Sequence, residues 1–195
     1  MAAPDDDGPC TPEDLDTIIT APSGGLTMLP TDGYNEVYPD LLIGDESIAK
    51  DRIGLKRIGV THVLNTAVGK TPYHVNTNHV MYSRLGIQFM GIEAMDTMNF
   101  QLHPYFNQCA DFIDKALENG GKVLVNCKVG ASRSATITLA FLMIKRHMTV
   151  KNALRMVRQK REVCPNEGFL QQLCDLNETL RKAGHFTKHT CNSKA

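Results

Sequence analysis

The amino-acid sequence predicts an α/β fold in which a central mixed sheet is covered by helices on both faces. Segments with the apolar pattern of strands alternate along the chain with segments of helical periodicity, as in domains built around a sheet. One buried strand, near residues 123–126, runs through a turn of small residues into an apolar helix. The chain has 195 residues, of which 42% are hydrophobic, and this is sufficient for one domain with its own core.

The N-terminal part, residues 1–33, is interpreted as a tail with a short helix near 12–20. The first ten residues are expected to be disordered. Thr11 suits the N-cap position and Pro12 the first helical position. The apolar stripe of this helix consists of Leu15, Ile18 and Ile19. Such a stripe favours packing against its own domain, and a substrate-recognition element is the alternative.

Residues 34–183 are predicted to form the folded domain, and residues 184–195 a polar tail. Strands are predicted near residues 35–44 (strand, turn, strand), 61–67, 86–92 and 123–126. Helices are predicted near residues 45–57, 104–119, 134–144, 149–158 and 168–183. Thr149 and Asn166 are the predicted N-caps of the last two helices.

The composition limits the classes of partner and compartment. The 21 basic and 21 acidic residues give a formal net charge of zero, so no overall field favours nucleic acid or an anionic membrane. The acidic N-terminus does not resemble a signal peptide, and the longest apolar run is too short to span a bilayer. Six cysteines without CxxC or metal-ligand spacing indicate reduced thiols. We therefore expect a cytoplasmic or nuclear protein with no metal. We also expect a monomer or weak dimer.

The stretch from Cys127 to Ser134, called the signature loop below, has the composition of an anion site. The five residues between Cys127 and Arg133 are Lys128, Val129, Gly130, Ala131 and Ser132. Small residues before a helix allow several backbone N–H groups to turn toward one phosphate, and the helix dipole adds positive potential. These five residues are therefore the predicted substrate-binding residues.

Within this loop, Cys127 is the predicted nucleophile. The positive potential of the loop favours thiolate over thiol, and Arg133 has a planar fork that can hold two phosphate oxygens. A thiolate beneath a phosphate ester would attack phosphorus and form a cysteinyl-phosphate. Ser134 can donate a hydrogen bond to the sulfur and can also cap the helix, since the two roles are compatible. The alternative is a buried structural cysteine with Arg133 as a solvated cap.

Two further features would complete such a site. The leaving oxygen needs a proton donor, and Asp96, in the polar connector after a strand, is the best candidate, with Glu93 as its competitor. The cationic run that ends at Arg161 is either a solvated helix face or a second phosphate site.

The order Cys127, five residues, Arg133, Ser134 resembles the signature of the cysteine-based protein tyrosine phosphatases, and residues 35–183 resemble the small atypical dual-specificity phosphatases. The resemblance implies the cysteine-phosphatase fold, and it implies hydrolysis of phosphotyrosine and of phosphoserine or phosphothreonine in proteins. MAP kinases are the implied substrates, and no cofactor is implied. It also assigns the general acid to Asp96 and contact with a second phosphate to Arg161.

The sequence departs from this family at Asn126, where the family has histidine. Asn126 is expected to brace the loop from behind. The exchange motivates an alternative function, a phosphoprotein-binding module with weak or no turnover. Val129 and Ala131 also differ from an acidic and an aromatic residue in a member of the family. An RNA or phosphoinositide phosphatase of the same fold is a third hypothesis, and the single cation of the loop interior, Lys128, counts against it.

Overall fold

The structure is a computed structural model that describes residues 9–186. Its centre is a five-stranded sheet. The strands are β1 (Tyr34–Tyr38), β2 (Leu41–Gly44), β3 (His62–Asn65), β4 (Gln88–Gly91) and β5 (Val123–Asn126). Their spatial order is β1-β2-β5-β3-β4. β1 is antiparallel to β2 and the other neighbours are parallel, which confirms the predicted mixed sheet.

Eight α-helices pack around this sheet in the described part of the chain. They are α1 (Pro12–Thr20), α2 (Glu46–Lys50), α3 (Arg52–Ile58), α4 (His79–Ser83), α5 (Phe106–Glu118), α6 (Arg133–Arg146), α7 (Val150–Arg158) and α8 (Glu167–Lys182). Thr149 and Asn166 cap α7 and α8 as predicted, since their side chains accept from backbone N–H groups of the first helical turns.

Alternate side chains of the strands enter two separate hydrophobic cores, one on each face of the sheet. The larger core receives Leu41, Ile43, Leu64, Val123 and Val125, together with side chains of α1, α5, α6, α7 and α8. The smaller core receives Leu42, Val63 and Leu124, together with side chains of α2, α3 and α4. Because successive side chains of a strand point to opposite faces, both faces of the sheet are apolar, and helices cover both faces, as predicted.

The parallel strands β2, β5 and β3 end side by side. Gly44 and Asn65 both pair with Asn126 in register. The N–H of Cys127 donates to the carbonyl oxygen of Gly44 at 3.3 Å, and the N–H of Thr66 donates to that of Asn126 at 2.8 Å. The signature loop therefore begins at the carboxyl edge of the sheet, where open α/β sheets place their ligands.

Two helical segments differ from the prediction. The helix expected over residues 45–57 is divided at Asp51, which has ψ 89° and accepts through Oδ1 from the N–H of Gly54 at 2.9 Å. Asp51 thus ends α2 and caps α3. The five residues of α4, capped by Asn78, have no counterpart among the predicted elements, because so short a helix shows no periodicity.

The helix α1 packs against its own domain. Leu15 and Ile19 are buried in the larger core. Thr11 accepts from the N–H of Asp14, whose carboxylate accepts in return from the N–H of Thr11, which forms a capping box. Packing on the domain, the interpretation favoured from the apolar stripe, is confirmed.

Disorder was expected for residues 1–10 and a polar tail for residues 184–195. Most of these positions, residues 1–8 and 187–195, lie outside the described residues. Cys10 is described and is partly buried, so the disorder expected for the first ten residues does not extend to it. In the described range, no helix has the length and apolar character needed to cross a membrane. Residues 9–186 also contain no cluster of three or more His, Cys, Asp or Glu side chains that could hold a metal ion.

Candidate active site

The sulfur of Cys127 lies within the signature loop and is held by hydrogen bonds. Cys127 is 1% exposed. The N–H of Gly130 and the hydroxyl of Ser134 each donate to Sγ at 3.2 Å. Gly130 has φ 73°, and a Cβ there would lie 2.6 Å from Nη2 of Arg161, so only glycine fits this turn. The predicted arrangement of a sulfur inside a cradle of amides is therefore present.

The environment of Cys127 favours the thiolate. Burial by itself would raise the pKa of the thiol. The charge of Arg133 and the hydrogen bonds from Ser134 and from the N–H of Ala131 outweigh it, so the pKa is lowered. A larger thiolate fraction near neutral pH makes Cys127 suited to nucleophilic attack.

Arg133 begins α6 and is oriented by backbone carbonyls. It is 3% exposed, and its Nη1 donates to the carbonyl oxygens of Tyr73 at 3.1 Å and of Ala94 at 2.9 Å. Its Nε lies 3.4 Å from Oδ2 of Asp96, an ion pair without the alignment of a hydrogen bond. The guanidinium is thus fixed on one side, while Nε and Nη2 remain for phosphate oxygens.

Asp96 lies over the signature loop, as expected for a general acid. Its Oδ1 accepts from the hydroxyl of Ser132 at 2.7 Å and from Nδ2 of Asn166 at 2.9 Å. Its side chain keeps 32% of its surface exposed, so it can meet a substrate. The competitor Glu93 is exposed, and its side chain makes no hydrogen bond or ion pair within residues 9–186. The geometry therefore favours Asp96 over Glu93.

Asn166 contacts the candidate acid Asp96, although the sequence indicated only a helix cap at this position. Its Oδ1 accepts from the N–H of Phe169 at 3.0 Å while its Nδ2 holds Asp96. The neighbouring Gly168 permits this approach, because a Cβ there would overlap the carbonyl oxygen of Met98 in the connector. A polar residue with both donor and acceptor at a cap was the only signal in the sequence.

The remaining predicted loop residues differ in their exposure. Ala131 and Ser132 are buried at 3% and 9%, and the carbonyl of Ala131 accepts from the N–H of Cys164 at 2.9 Å. Val129 is 44% exposed and lies at the mouth of the site. The ammonium of Lys128 is paired with the carboxylate of Glu46, so the loop offers substrate the backbone of Lys128 rather than a free cation.

Arg161 lies behind the loop as a brace. It is 3% exposed, and its Nε donates to the carbonyl oxygen of Gly130 at 2.8 Å. Its Nη1 donates to the carbonyl oxygen of Asp32 at 3.0 Å and to Oδ1 of Asn35 at 2.6 Å. The predicted contact with a second phosphate would require some of these hydrogen bonds to break. A cleft of about 530 Å³ opens beside Arg161 and is also lined by Lys160.

Asn126 does not brace the signature loop, contrary to the expectation. It is fully buried, and its Nδ2 points to Oδ1 of Asn65 on β3 at 3.4 Å, while its own Oδ1 has no partner within the described structure. The reason is the register of the sheet, which places Asn126 directly opposite Asn65. The two asparagines stabilise the adjoining strand ends instead.

Comparison with known sequences shows that the chain is similar to phosphatases. The family model described as dual specificity phosphatase, catalytic domain, matches residues 41–179. The chain is 43% identical over 152 residues to dual specificity protein phosphatase 26 of Homo sapiens, which covers 76% of this chain and 69% of the relative. The protein of the same name in Pongo abelii has the same identity and coverage.

Solved structures share the fold. The crystal structure of human DUSP28 matches with a TM-score of 0.67 and 27% identity, over 77% of this chain and 96% of that one. The human tyrosine phosphatase-like serine/threonine/tyrosine-interacting protein matches with a TM-score of 0.68 and 28% identity, over 75% of this chain and 96% of that one. The cysteine-phosphatase fold expected from the signature is confirmed.

Proposed function

The chain belongs to the dual specificity phosphatase family and is a protein phosphatase, and from this premise we propose that it dephosphorylates both phosphotyrosine and phosphoserine or phosphothreonine. The observation that carries the proposal is the position of Cys127. Its sulfur accepts two hydrogen bonds inside the loop, with Arg133 and Asp96 at the same opening. This combination supplies a nucleophile, an anion clamp and a proton donor.

In the first step, the thiolate of Cys127 attacks phosphorus, and the bond from phosphorus to the ester oxygen breaks. Asp96, in its protonated form, gives its proton to the leaving oxygen, so tyrosine, serine or threonine departs as a neutral alcohol. Loop N–H groups and Arg133 bind the phosphoryl oxygens, on which the charge of the transition state is spread.

In the second step, water hydrolyses the cysteinyl-phosphate. Asp96, now a carboxylate, accepts a proton from the attacking water, and the bond from phosphorus to sulfur breaks to release inorganic phosphate. The hydroxyl of Ser134, 3.2 Å from Sγ, stabilises the departing thiolate. The nucleophile and the acid are then restored to their starting protonation states.

The mouth of the site supports a protein substrate over a phosphoinositide or RNA. Val129 is 44% exposed, Met95 beside the acid is 37% exposed, and Tyr73, whose carbonyl holds Arg133, is 67% exposed. Lys128 is neutralised by Glu46. Apolar side chains favour the residues that flank a phosphorylated side chain in a peptide, whereas a polyphosphorylated headgroup favours free cations.

We further propose MAP kinases as substrates, since the residues of the signature and of the segment around Arg161 resemble the family members that act on them. The cationic cleft beside Arg161 supports a doubly phosphorylated peptide. We also propose that the protein is located in the cytoplasm or nucleus and that it is a monomer or weak dimer.

The second candidate function is a phosphoprotein-binding module with weak turnover. The observation in its favour is Asn126, whose buried side chain cannot carry the positive charge of a histidine. The full set of Cys127, Arg133 and Asp96 supports catalysis instead, because binding alone requires neither a nucleophile nor a proton donor.

The test is phosphate release by the full chain from a panel of singly and doubly phosphorylated peptides, a phosphoinositide and 5′-phosphorylated RNA. We expect release from phosphotyrosine and phosphothreonine peptides and none above background from lipid or RNA. Cys127→Ser should abolish release yet still bind the peptides. Turnover within a few-fold of wild type in that variant would contradict the mechanism, and peptide binding without release by the wild type would favour the binding module.

A further inference from the structure

Two cysteines from opposite ends of the chain lie in contact, away from the active site. Cys10 precedes the N-cap of α1 and is partly buried, while Cys174 lies on α8 and is 5% exposed. Their Sγ atoms are 2.6 Å apart, although 164 positions separate them in the sequence. Neither residue belongs to the signature loop or takes part in the proposed reaction.

The docking of α1 holds the two sulfurs together. Ile19 is buried in the core, and its carbonyl oxygen accepts from Nε of Arg158 at 2.8 Å. Near the start of the helix, the carboxylate of Asp14 lies 3.4 Å from Nζ of Lys151 on α7. A disulfide requires its two sulfurs to be in direct contact, and the docked helix supplies that contact.

We propose that Cys10 and Cys174 form an intramolecular disulfide when the protein meets a hydroperoxide, and that this bond fastens α1 to α8. The hydroperoxide first oxidises one thiol to a sulfenic acid and is reduced to water or an alcohol. The second thiol then attacks that sulfur. The sulfenic hydroxyl group takes the proton of the attacking thiol and leaves as water. For hydrogen peroxide, two thiols and one peroxide give one disulfide and two waters.

The surroundings indicate which sulfur reacts first. The hydrogen bond with Cys10 and burial both raise the pKa of the Cys174 thiol. Cys10 is the more accessible of the two, so we assign the sulfenic acid to Cys10 and the attack to Cys174. Contact with the partner sulfur lets the attack follow without rearrangement of the helices.

The bond would fix a segment that reaches the active site. The chain continues from α1 to Asp32, whose carbonyl accepts from Nη1 of Arg161 at 3.0 Å. Arg161 in turn holds the carbonyl of Gly130 in the signature loop at 2.8 Å. Oxidation therefore links α1, and with it this brace, to the domain by a covalent bond.

The experiment uses the full chain with Cys127→Ser, because peroxide also attacks the catalytic thiolate. The protein is treated with hydrogen peroxide, digested without reduction and analysed by mass spectrometry, and its Tm is measured before and after treatment. We expect a peptide that links Cys10 to Cys174, and a rise in Tm on the order of 5 °C because the bond closes a long loop in the unfolded chain.

Cys10→Ser in the same background removes the surface partner and should abolish both the linked peptide and the rise in Tm. Cys174→Ala removes the buried partner and should have the same effect. Cys164→Ser, which removes another partly buried cysteine, is the matched control and should leave both readouts unchanged. The absence of a Cys10–Cys174 peptide, a bond between two chains in its place, or a rise in Tm that persists in Cys10→Ser would overturn the proposal.

Discussion

The side chain of Asn166 links the start of α8 to Asp96, the proposed general acid, because Nδ2 donates to Oδ1 of Asp96 at 2.9 Å while Oδ1 accepts from the N–H of Phe169 at 3.0 Å. A single amide therefore caps a helix and holds the carboxyl group of Asp96. Ser132 donates to the same oxygen of Asp96 at 2.7 Å, so the acid is positioned by the loop on one side and by α8 on the other.

The first prediction separates the two roles of Asn166. Asn166→Ser keeps a side-chain oxygen that can cap α8, but it removes the donor to Asp96. Asp96 acts in its protonated, neutral form, and a hydrogen bond between neutral groups contributes about 0.5–1.5 kcal/mol, so kcat on a phosphotyrosine peptide should fall about two- to tenfold. An aryl phosphate whose leaving group needs no proton should lose much less. Steady-state kinetics with the two substrates makes the comparison.

The matched control for this variant is Asn78→Ser, which changes the N-cap of α4 in the same way but lies outside the active site. It should leave kcat on both substrates near the wild-type value. If Asn166→Ser loses activity equally on both substrates, its effect comes from the fold and not from the acid.

The second prediction concerns Asp96 itself. Asp96→Asn replaces the carboxyl group by an amide of similar size, which cannot deliver a proton to the ester oxygen. Activity on phosphotyrosine should therefore fall about 10²–10⁴-fold, the usual contribution of general acid catalysis. The loss should be far smaller with the activated aryl phosphate. Glu93→Gln is the control and should leave both rates unchanged; an equal loss on both substrates in Asp96→Asn would refute the assignment.

The sequence predicted those parts of the site that depend on local order. The loop from Cys127 to Ser134 is continuous, so its cradle follows from small residues between a strand and a helix. The contact of Asn166 with Asp96 spans 70 positions and depends on how α8 docks, which no local pattern encodes. Asp96 itself was selected over Glu93 by resemblance to a family, since spacing alone left both candidates open.

The sequence was less informative where several interactions compete for one side chain. The run of cations ending at Arg161 suggested a phosphate site, but the fold buries this guanidinium against the carbonyl of Gly130. Likewise, Asp51 has the residue type of a helix N-cap, yet only the structure shows it dividing a helical segment. The alternating apolar residues of β2 and β5, in contrast, specify both faces of the sheet directly.

The third prediction tests the brace against the second phosphate site. Arg161→Ala removes hydrogen bonds to Gly130 and Asp32 and should lower kcat/KM about tenfold or more on singly and doubly phosphorylated peptides alike. Lys160→Ala, which changes an exposed cation of the adjacent cleft, should reduce only the preference for two phosphates. Lys56→Ala on α3 serves as a distant control. A selective loss of that preference in Arg161→Ala would instead support direct phosphate contact.

The fourth prediction concerns the pH dependence set by Ser134. Its hydroxyl hydrogen bond is one of the interactions that lower the pKa of the Cys127 thiol, so Ser134→Ala should raise that pKa. Because the thiolate is the reactive form, the acidic limb of kcat/KM should move to higher pH, and the rate of alkylation by iodoacetamide should show the same shift. Thr138→Val is the matched control on α6, since the buried Thr138 hydroxyl has no hydrogen-bond partner in the described structure. An unchanged alkylation profile in Ser134→Ala would remove Ser134 from the control of the thiolate.

The last prediction concerns Asn126, which the structure places beside Asn65 and not against the loop. Asn126→His introduces a group that can carry positive charge one residue before Cys127, and its N–H can use the Asn65 oxygen that now accepts from Nδ2 at 3.4 Å. A positive charge stabilises the thiolate and lowers the Cys127 pKa further, so the acidic limb of kcat/KM should move to lower pH, with higher activity below neutrality. Burial at this position opposes protonation of the histidine, which limits the size of the shift. Asn126→Gln changes size without adding charge and should leave the limb in place. Superimposable profiles for wild type and Asn126→His would show that the exchange is silent, and an inactive wild type restored by histidine would favour the binding module.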